Sequence, residues 1–289
     1  MRYVKRLLSA ALCVVLCGTT ACRKPAVPPP TEVIVTSARD VPSDPSDAAW
    51  QKAPEYTAAL VMQDLVEPRQ LTATTASVRV RAIGNGTETA FRLEWDDATR
   101  DDLPGAARFC DACAVQLPQK VQANVPAPQM GEAGRTVEIA YWNASRQAVV
   151  DGRGQSIKDL YPNASVDHYP FEAKPLEKSP TSQAAMTERY APARAVGNPV
   201  ANPTSAPVQD LIAEGPGTLS PAPSATSRGK GMRTANGWAV VIVRTTPIAS
   251  APLGRTNIAL AVWDGAHEEV GARKMRTGWI PAVLPRQPK

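Results

Sequence analysis

Two short apolar runs near the C-terminus, GWAVVIVR (residues 237–244) and NIALAVW (residues 257–263), decide the fold class. Both runs are rich in Val, Ile and Trp, residues that favour strands. Each run is also too short for a typical helix of a globular protein. The pair therefore predicts two strands and, with them, an all-β fold.

The rest of the chain repeats this pattern of short strands separated by turn residues. Residues 77–82 (SVRVRA) alternate with a period of two, and residues 89–95 (TAFRLEW) return after Asn85-Gly86, a typical hairpin turn. A further strand is predicted at residues 136–142 (TVEIAYW). The sequence shows no repeat and no convincing amphipathic helix longer than about two turns. We predict a β-sandwich or barrel with long irregular loops over residues 48–285.

The segment from Pro170 to Pro207 has a different composition. It contains seven prolines among Ala, Ser, Thr and charged residues, with little periodicity. A loop of this length is functional, wraps a partner or is disordered.

The N-terminus has the layout of a bacterial secretory leader. Basic residues come first, followed by an apolar run at residues 7–16 and small residues before Cys22. We predict a signal peptide at residues 1–21 and a lipidated N-terminus with a Pro-rich tether at residues 22–47, with plain secretion as the alternative. The expected location is the periplasmic side of a bacterial membrane. Without the leader the net charge is about +2, and the absence of a basic run argues against nucleic acid as a partner.

Two cysteines remain after the leader and Cys22, and they form a C-x-x-C pair, Cys110 and Cys113. Covalent attachment of a c-type haem requires His after the second cysteine, where this chain has Ala114. A thioredoxin-like redox pair would need a βαβ context that the sequence lacks. In an oxidising compartment we predict a local disulfide between Cys110 and Cys113.

Candidate catalytic groups are few. The two histidines, His168 and His267, have no second ligand at metal-binding spacing. No nucleophile elbow, phosphate-binding loop or zinc-protease motif is present. The acidic pairs at residues 96–97 and 101–102 follow a strand and are expected to lie in solvated turns. The sequence does not predict an enzyme.

Several segments resemble, in order, one family of haem-binding subunits. The family comprises the γ subunits of ethylbenzene dehydrogenase, dimethylsulfide dehydrogenase, selenate reductase and chlorate reductase, which are partners of molybdenum enzymes. The matching segments include FRLEWDDATR (91–100), AVQLP (114–118), QMGEAGRTVEIAYWNA (129–144), DLYPNASVD (159–167), LIAEGPGTLS (211–220), NGWAVVIVRTT (236–246) and IALAVWDGAHEEVGARKMRTGW (258–279).

The resemblance implies a β-sandwich whose pocket holds one non-covalent haem b between a Met and a Lys. By position in the matching segments, these axial ligands are Met130 and Lys274. A thioether is a soft neutral ligand that raises the reduction potential, and a lysine ligates only as the free amine. Two axial ligands leave no open position, so such a haem transfers electrons and binds no substrate. Met275 adjoins Lys274, but successive strand residues face opposite ways.

The implied partners are the iron-sulfur and molybdopterin catalytic subunits of a DMSO-reductase-type complex, with a soluble cytochrome as a further candidate and the membrane reached through the lipid anchor. The chain departs from the family in its C-x-x-C pair and its lipoprotein-like start. The alternative function is a haem-free carbohydrate- or ligand-binding sandwich that uses tryptophans as sugar platforms. Most of the tryptophans are expected in the sandwich core.

Overall fold

The computed structural model describes residues 30–122, 124–155, 157–164, 178–190, 205–245 and 254–284. The strands are β1 Val33–Ser37, β2 Tyr56–Ala59, β3 Val61–Met62, β4 Ser77–Gly84, β5 Glu88–Asp96, β6 Ala112–Pro118, β7 Val137–Asn143, β8 Val208–Ala213, β9 Ser220–Pro221, β10 Arg228–Arg233, β11 Gly237–Thr245, β12 Arg255–Trp263, β13 Met275–Arg276 and β14 Ile280–Val283. The described helices are α1 Ala144–Val150, α2 Ile157–Leu160, α3 Pro180–Tyr190 and two 3₁₀ turns, Ala48–Lys52 and Gly265–His267.

Hydrogen bonds join the strands into one curled mixed sheet, in the order β10-β11-β5-β4-β1-β14-β12-β6-β7-β8-β9. β2 pairs with β4, and β13 pairs with both β12 and β3. β1 runs parallel to its two neighbours, β4 and β14, and so links the two halves of the sheet. Apolar residues from both halves form one core, which gives a sandwich. The predicted all-β fold is confirmed.

The turn predicted at Asn85-Gly86 joins β4 to β5. The Asn85 carboxamide oxygen accepts hydrogen bonds from the backbone amides of Thr87 and Glu88. Gly86 has a φ of 93°, which L residues with a side chain rarely adopt. The other predicted strands are also present, with ends that differ by one or two residues.

The core between the two halves is densely filled. Trp142 lies edge-on to Trp95 and Trp238, with ring centroids 6.4 and 5.1 Å away. Gly231 is required beside this cluster, because a Cβ at its position would come within 2.2 Å of the Trp142 ring. Large residues that alternate along the strands complete the core, including Leu93, Leu117, Ile242 and Leu260.

The opposite face of the β8-β7-β6-β12 half carries alanines between larger apolar residues. Along β12 the side chains of Ile258, Leu260 and Val262 enter the core. Ala259, Ala261 and Trp263 lie on the outer face. This alternation places small residues where loops approach the sheet from outside.

The fold begins earlier than the sequence predicts. Residues 22–47 were predicted as a tether, but β1 lies within this range and its Val33 and Val35 are 1% and 4% exposed. β1 is buried because it fills the gap between β4 and β14. The 11-residue helix α3 lies inside the Pro-rich segment, where the sequence predicts no helix. It starts at Pro180, which suits a first helical turn, and continues through good helix formers.

Several predictions concern residues outside the described parts of the chain. These are the signal peptide at residues 1–21, the lipidation site Cys22, His168 and most of the Pro-rich segment. Among the described helices, none has the length and apolar character needed to cross a membrane.

Candidate functional site

A cavity of about 530 Å³ lies on the outer face of the β8-β7-β6-β12 half. Side chains from these four strands form its floor, and loops that carry residues 63–67, 128–130, 216–219 and 271–277 form its walls. The volume falls within the range of roughly 300–1,000 Å³ that is usual for small-molecule and cofactor pockets. The cavity is therefore large enough to be a ligand site.

The floor of the cavity is mainly apolar, and small residues leave the space open. Ala114 of β6 and Ala259 and Ala261 of β12 face the cavity at its centre. Ile139, Tyr141, Leu211 and Trp263 surround them, and the Tyr141 and Trp263 rings meet edge to face at 5.3 Å. Such a surface suits a large apolar ligand.

Met130 enters the cavity from the loop that precedes β7. Its backbone is left-handed, with a φ of 65°, which is uncommon for a residue other than glycine and often marks a functional position. Two hydrogen bonds fix the loop: Gly131 N–H donates to the Ala127 carbonyl over 2.9 Å, and Gly215 N–H donates to the Met130 carbonyl over 2.8 Å. A Cβ at Gly131 would lie 2.8 Å from the Arg135 carbonyl, so the M-G pair needs its glycine.

Lys274, immediately before β13, lines the same cavity. Its Nζ lies 5.0 Å from the centre of the Trp263 ring and 3.4 Å from the Gly271 carbonyl oxygen. Burial, together with the charge of Arg276, lowers the pKa of Lys274 to about 8. At neutral pH the neutral amine is thus far more populated than in an ordinary lysine. Met275 points the opposite way into the core and is 1% exposed.

Arg276 is a cavity residue that the sequence did not single out. It lies opposite Ala261 in the β12-β13 pair and shares the cavity face with Lys274. Its side chain is 14% exposed, and its Nε forms no hydrogen bond in the described structure. The nearest acid is the mostly exposed Asp64, at 3.8 Å. The cavity wall therefore offers a positive charge to an anionic ligand.

The predicted Cys110–Cys113 disulfide is absent from the structure, where both thiols are free. Cys113 is buried in the core, whereas Cys110 lines a small pocket on the other side of β6 with Tyr141 and Trp263. Side chains three residues apart along a strand point to opposite faces, which accounts for the different surroundings of the two thiols. Burial raises the pKa of Cys110 to about 11, which disfavours a reactive thiolate.

The tryptophans divide between the two faces. Trp95, Trp142 and Trp238 lie in the core, as expected. Trp263 instead lines the cavity, and Trp279 packs beside it and donates its indole N–H to the Pro126 carbonyl over 2.6 Å. His267 lies on the surface, where its Nδ1 is 2.7 Å from an Asp264 carboxylate oxygen.

Fold and cavity together define a β-sandwich protein with a ligand pocket on the outer face of one half. The chain belongs to the ethylbenzene dehydrogenase family, whose profile matches residues 47–275. This range includes both Met130 and Lys274.

Two relatives are similar to the chain. A putative respiratory nitrate reductase heme subunit from Haloferax mediterranei is 29% identical over 136 residues, which is 45% of this chain and 49% of the relative. The chain thus spans about half the length of that protein. The chlorate reductase subunit gamma of Ideonella dechloratans is 24% identical over 282 residues, which is 92% of this chain and 91% of the relative.

Proposed function

We propose that this protein is an electron-transfer subunit that holds one haem b non-covalently, with Met130 and Lys274 as its axial ligands. One observation carries the proposal: these two residues, far apart in the sequence, line the same cavity from different loops. The names of the two relatives, a heme subunit and a reductase subunit gamma, support it.

The residues of the cavity suit a haem. The alanines and aromatic rings of the floor offer an apolar surface to a macrocycle, and Met130 offers a thioether. Arg276 supplies a positive charge that complements the propionates of a haem. When bound, haem b supplies a one-electron redox couple.

Lys274 suits the role of a ligand because the surrounding protein favours its neutral form. An ordinary lysine at neutral pH is almost wholly protonated and has no lone pair for iron. With a pKa of about 8, Lys274 gives up its proton at a small cost. Its Nζ has one hydrogen bond, a long one to Gly271, so few contacts oppose its movement toward a metal.

The same arrangement argues for electron transfer without substrate chemistry. Two protein ligands would occupy both axial positions, so no position would be open for a substrate. The chain would then serve a separate catalytic subunit, and the relatives named as nitrate and chlorate reductase subunits support iron-sulfur and molybdopterin partners.

We also propose an exported, lipid-anchored location. The leader-like residues 1–21 and Cys22 support it. Labelling of cells with radioactive palmitate should mark the protein, and Cys22→Ser should abolish the label. An unlabelled parent protein would contradict the anchor and leave the haem proposal untouched.

The haem proposal is tested by the reduced-minus-oxidised visible spectrum of the purified protein. We expect the sharp bands of a low-spin haem b in the parent. Met130→Ala and Lys274→Ala should each shift or abolish them, because each removes one ligand. Met232→Ala and Lys120→Ala, which change residues of the same types away from the cavity, should keep the parent spectrum.

A parent protein that stays colourless after haem is added would overturn the proposal. The sugar-binding alternative would then need an exposed aromatic platform. All six tryptophans lie in the described part of the chain, and none of them is exposed there.

A further inference from the structure

Three aspartates from distant parts of the chain meet at one end of the sandwich. Asp97 follows β5, Asp111 precedes β6 and Asp264 follows β12. One carboxylate oxygen from each lies within 4.8 Å of the other two. The three residues are 6%, 0% and 8% exposed. The pair Asp96-Asp97 was expected in a solvated turn, but only Asp96 is exposed, since Asp97 turns inward at the end of β5.

Hydrogen bonds hold the carboxylates in place. Asp111 accepts from the backbone amides of Asp101 and Gly265 and from the Trp238 indole N–H, over 2.8 to 2.9 Å. Asp97 Oδ1 accepts from the backbone amide of Thr99 over 2.9 Å. Asp264 Oδ1 accepts from the amide of Ala266 over 3.0 Å. Each carboxylate oxygen can accept more than one bond, so these contacts leave lone pairs free.

The cluster lacks a partner that its chemistry requires. Asp97 Oδ2 is fully buried and has no hydrogen-bond partner in the described structure, and the whole Asp97 side chain is only 2% exposed. A buried, unpartnered carboxylate oxygen is costly unless a cation or a proton compensates it. Burial raises the pKa values of Asp97 and Asp111, that of Asp111 to about 7, so the ionised cluster is under electrostatic stress.

The charge balance indicates the missing partner. The nearest buried cation is Arg233, whose Nη1 lies 4.0 Å from Asp97 Oδ1. Arg233 offsets one of the three negative charges of the ionised cluster. His267, whose Nδ1 lies 2.7 Å from Asp264 Oδ2, is 54% exposed and carries a charge only when it is protonated. A divalent cation would offset the charge that remains. Carboxylate oxygens are ligands that hard cations prefer, and a set drawn from the ends of three different strands suits Ca²⁺, which accepts irregular geometry.

We propose that Asp97, Asp111 and Asp264 form a structural Ca²⁺ site. The site would bind together the ends of β5, β6 and β12, and so would clamp the two halves of the sandwich. β6 and β12 also form the floor of the cavity, but none of the three aspartates lines it, so the proposed site does not depend on a haem.

The test is metal analysis and calorimetry of the full-length protein. Inductively coupled plasma mass spectrometry of protein purified without chelator should find calcium bound. After treatment with EGTA, 1 mM CaCl₂ should raise the unfolding midpoint by about 5–10 °C, the shift expected for a ligand at roughly a hundred times its Kd. Asp97→Asn and Asp264→Asn should weaken calcium binding by about tenfold or more, since each removes a ligand charge.

Asp96→Asn is the matched control, because it changes the adjacent carboxylate, which is 72% exposed, and should leave the calcium shift unchanged. The proposal is overturned if the parent contains no calcium and its midpoint does not respond to CaCl₂. That measurement needs no variant, so it decides even if the substituted proteins fail to fold. It is also overturned if Asp97→Asn and Asp264→Asn both keep the full calcium shift of the parent, since the metal would then bind elsewhere.

Discussion

The two faces of one half of the sandwich share the same strands yet have opposite character. On β12, the inward Ile258 and Leu260 fill a core that excludes water, whereas the outward Ala259 and Ala261 leave a cavity open. Neighbouring residues of one strand thus divide their roles, because successive side chains point to opposite faces. The inner face supplies stability, and we propose that the outer face supplies the cofactor site.

The largest expected effect is a loss of stability caused by a substitution on the inner face. Leu260→Ala removes a side chain that is 2% exposed and leaves a hole in the core. We expect a loss of about 2–5 kcal/mol in the free energy of unfolding, measured by urea denaturation. The protein that remains folded should bind haem as the parent does. If the folded variant had lost the haem spectrum of the parent, the division of roles between the two faces would be contradicted.

Ala261, the next residue of β12, lies on the outer face, and its substitution should weaken haem binding without lowering the stability of the fold. Ala261→Phe places a ring in the cavity, where it occupies space that a haem would need. We expect the free energy of haem binding to weaken by about 1–3 kcal/mol, a cost similar to that of overfilling a packed site. Haem affinity, measured by transfer to apomyoglobin, should fall by about 10- to 100-fold, while the urea midpoint stays close to that of the parent. Normal haem affinity in this variant would show that the ligand lies elsewhere.

The pH dependence of haem binding tests whether the Lys274 amine is an iron ligand. Its pKa is lowered to about 8, so the amine is neutral above that pH and protonated below it. A proton competes with iron for the same lone pair. Haem affinity should therefore fall by about tenfold for each pH unit below 8. The variant Lys274→Met, which has no titrating ligand, should lose this slope, and a parent affinity that is flat between about pH 6 and 8 would exclude the amine as a ligand.

The smallest effect concerns the positive wall of the cavity. If Arg276 pairs with a propionate, Arg276→Gln should weaken the binding of haem by about tenfold but leave that of haem dimethyl ester unchanged. Arg255→Gln, a surface substitution 59% exposed, is the control. An equal loss of affinity for haem and for haem dimethyl ester would mean that Arg276 acts through packing alone.

Much of the fold could be predicted from the sequence because its signals are local. The alternation at residues 77–82, the Asn85-Gly86 turn and the apolar runs of β11 and β12 each identify an element without its neighbours. β1 could not be found in this way, because its burial depends on β4 and β14, which come together only in the folded protein. The structure holds Cys110 and Cys113 as free thiols on different sides of β6, which their spacing alone does not state.

The candidate site was less visible in the sequence. Met130 and Lys274 came from a family resemblance, since neither residue stands out by its own surroundings. Arg276 and Asp97 were missed as site residues because each stands out by one buried side-chain atom that has no hydrogen-bond partner in the described structure. Only the folded structure reveals such an atom. Asp264 follows a strand in a turn that looks like any solvated one.

X-ray absorption at the iron edge of the reduced protein decides whether Met130 and Lys274 bind one iron. If both residues are ligands, the parent should show one sulfur neighbour among nitrogens. Met130→Ala should lose that sulfur, and Lys274→Ala should retain it with one nitrogen neighbour fewer. An iron without a sulfur neighbour in the parent, or one that keeps its sulfur in Met130→Ala, would contradict the proposed ligands.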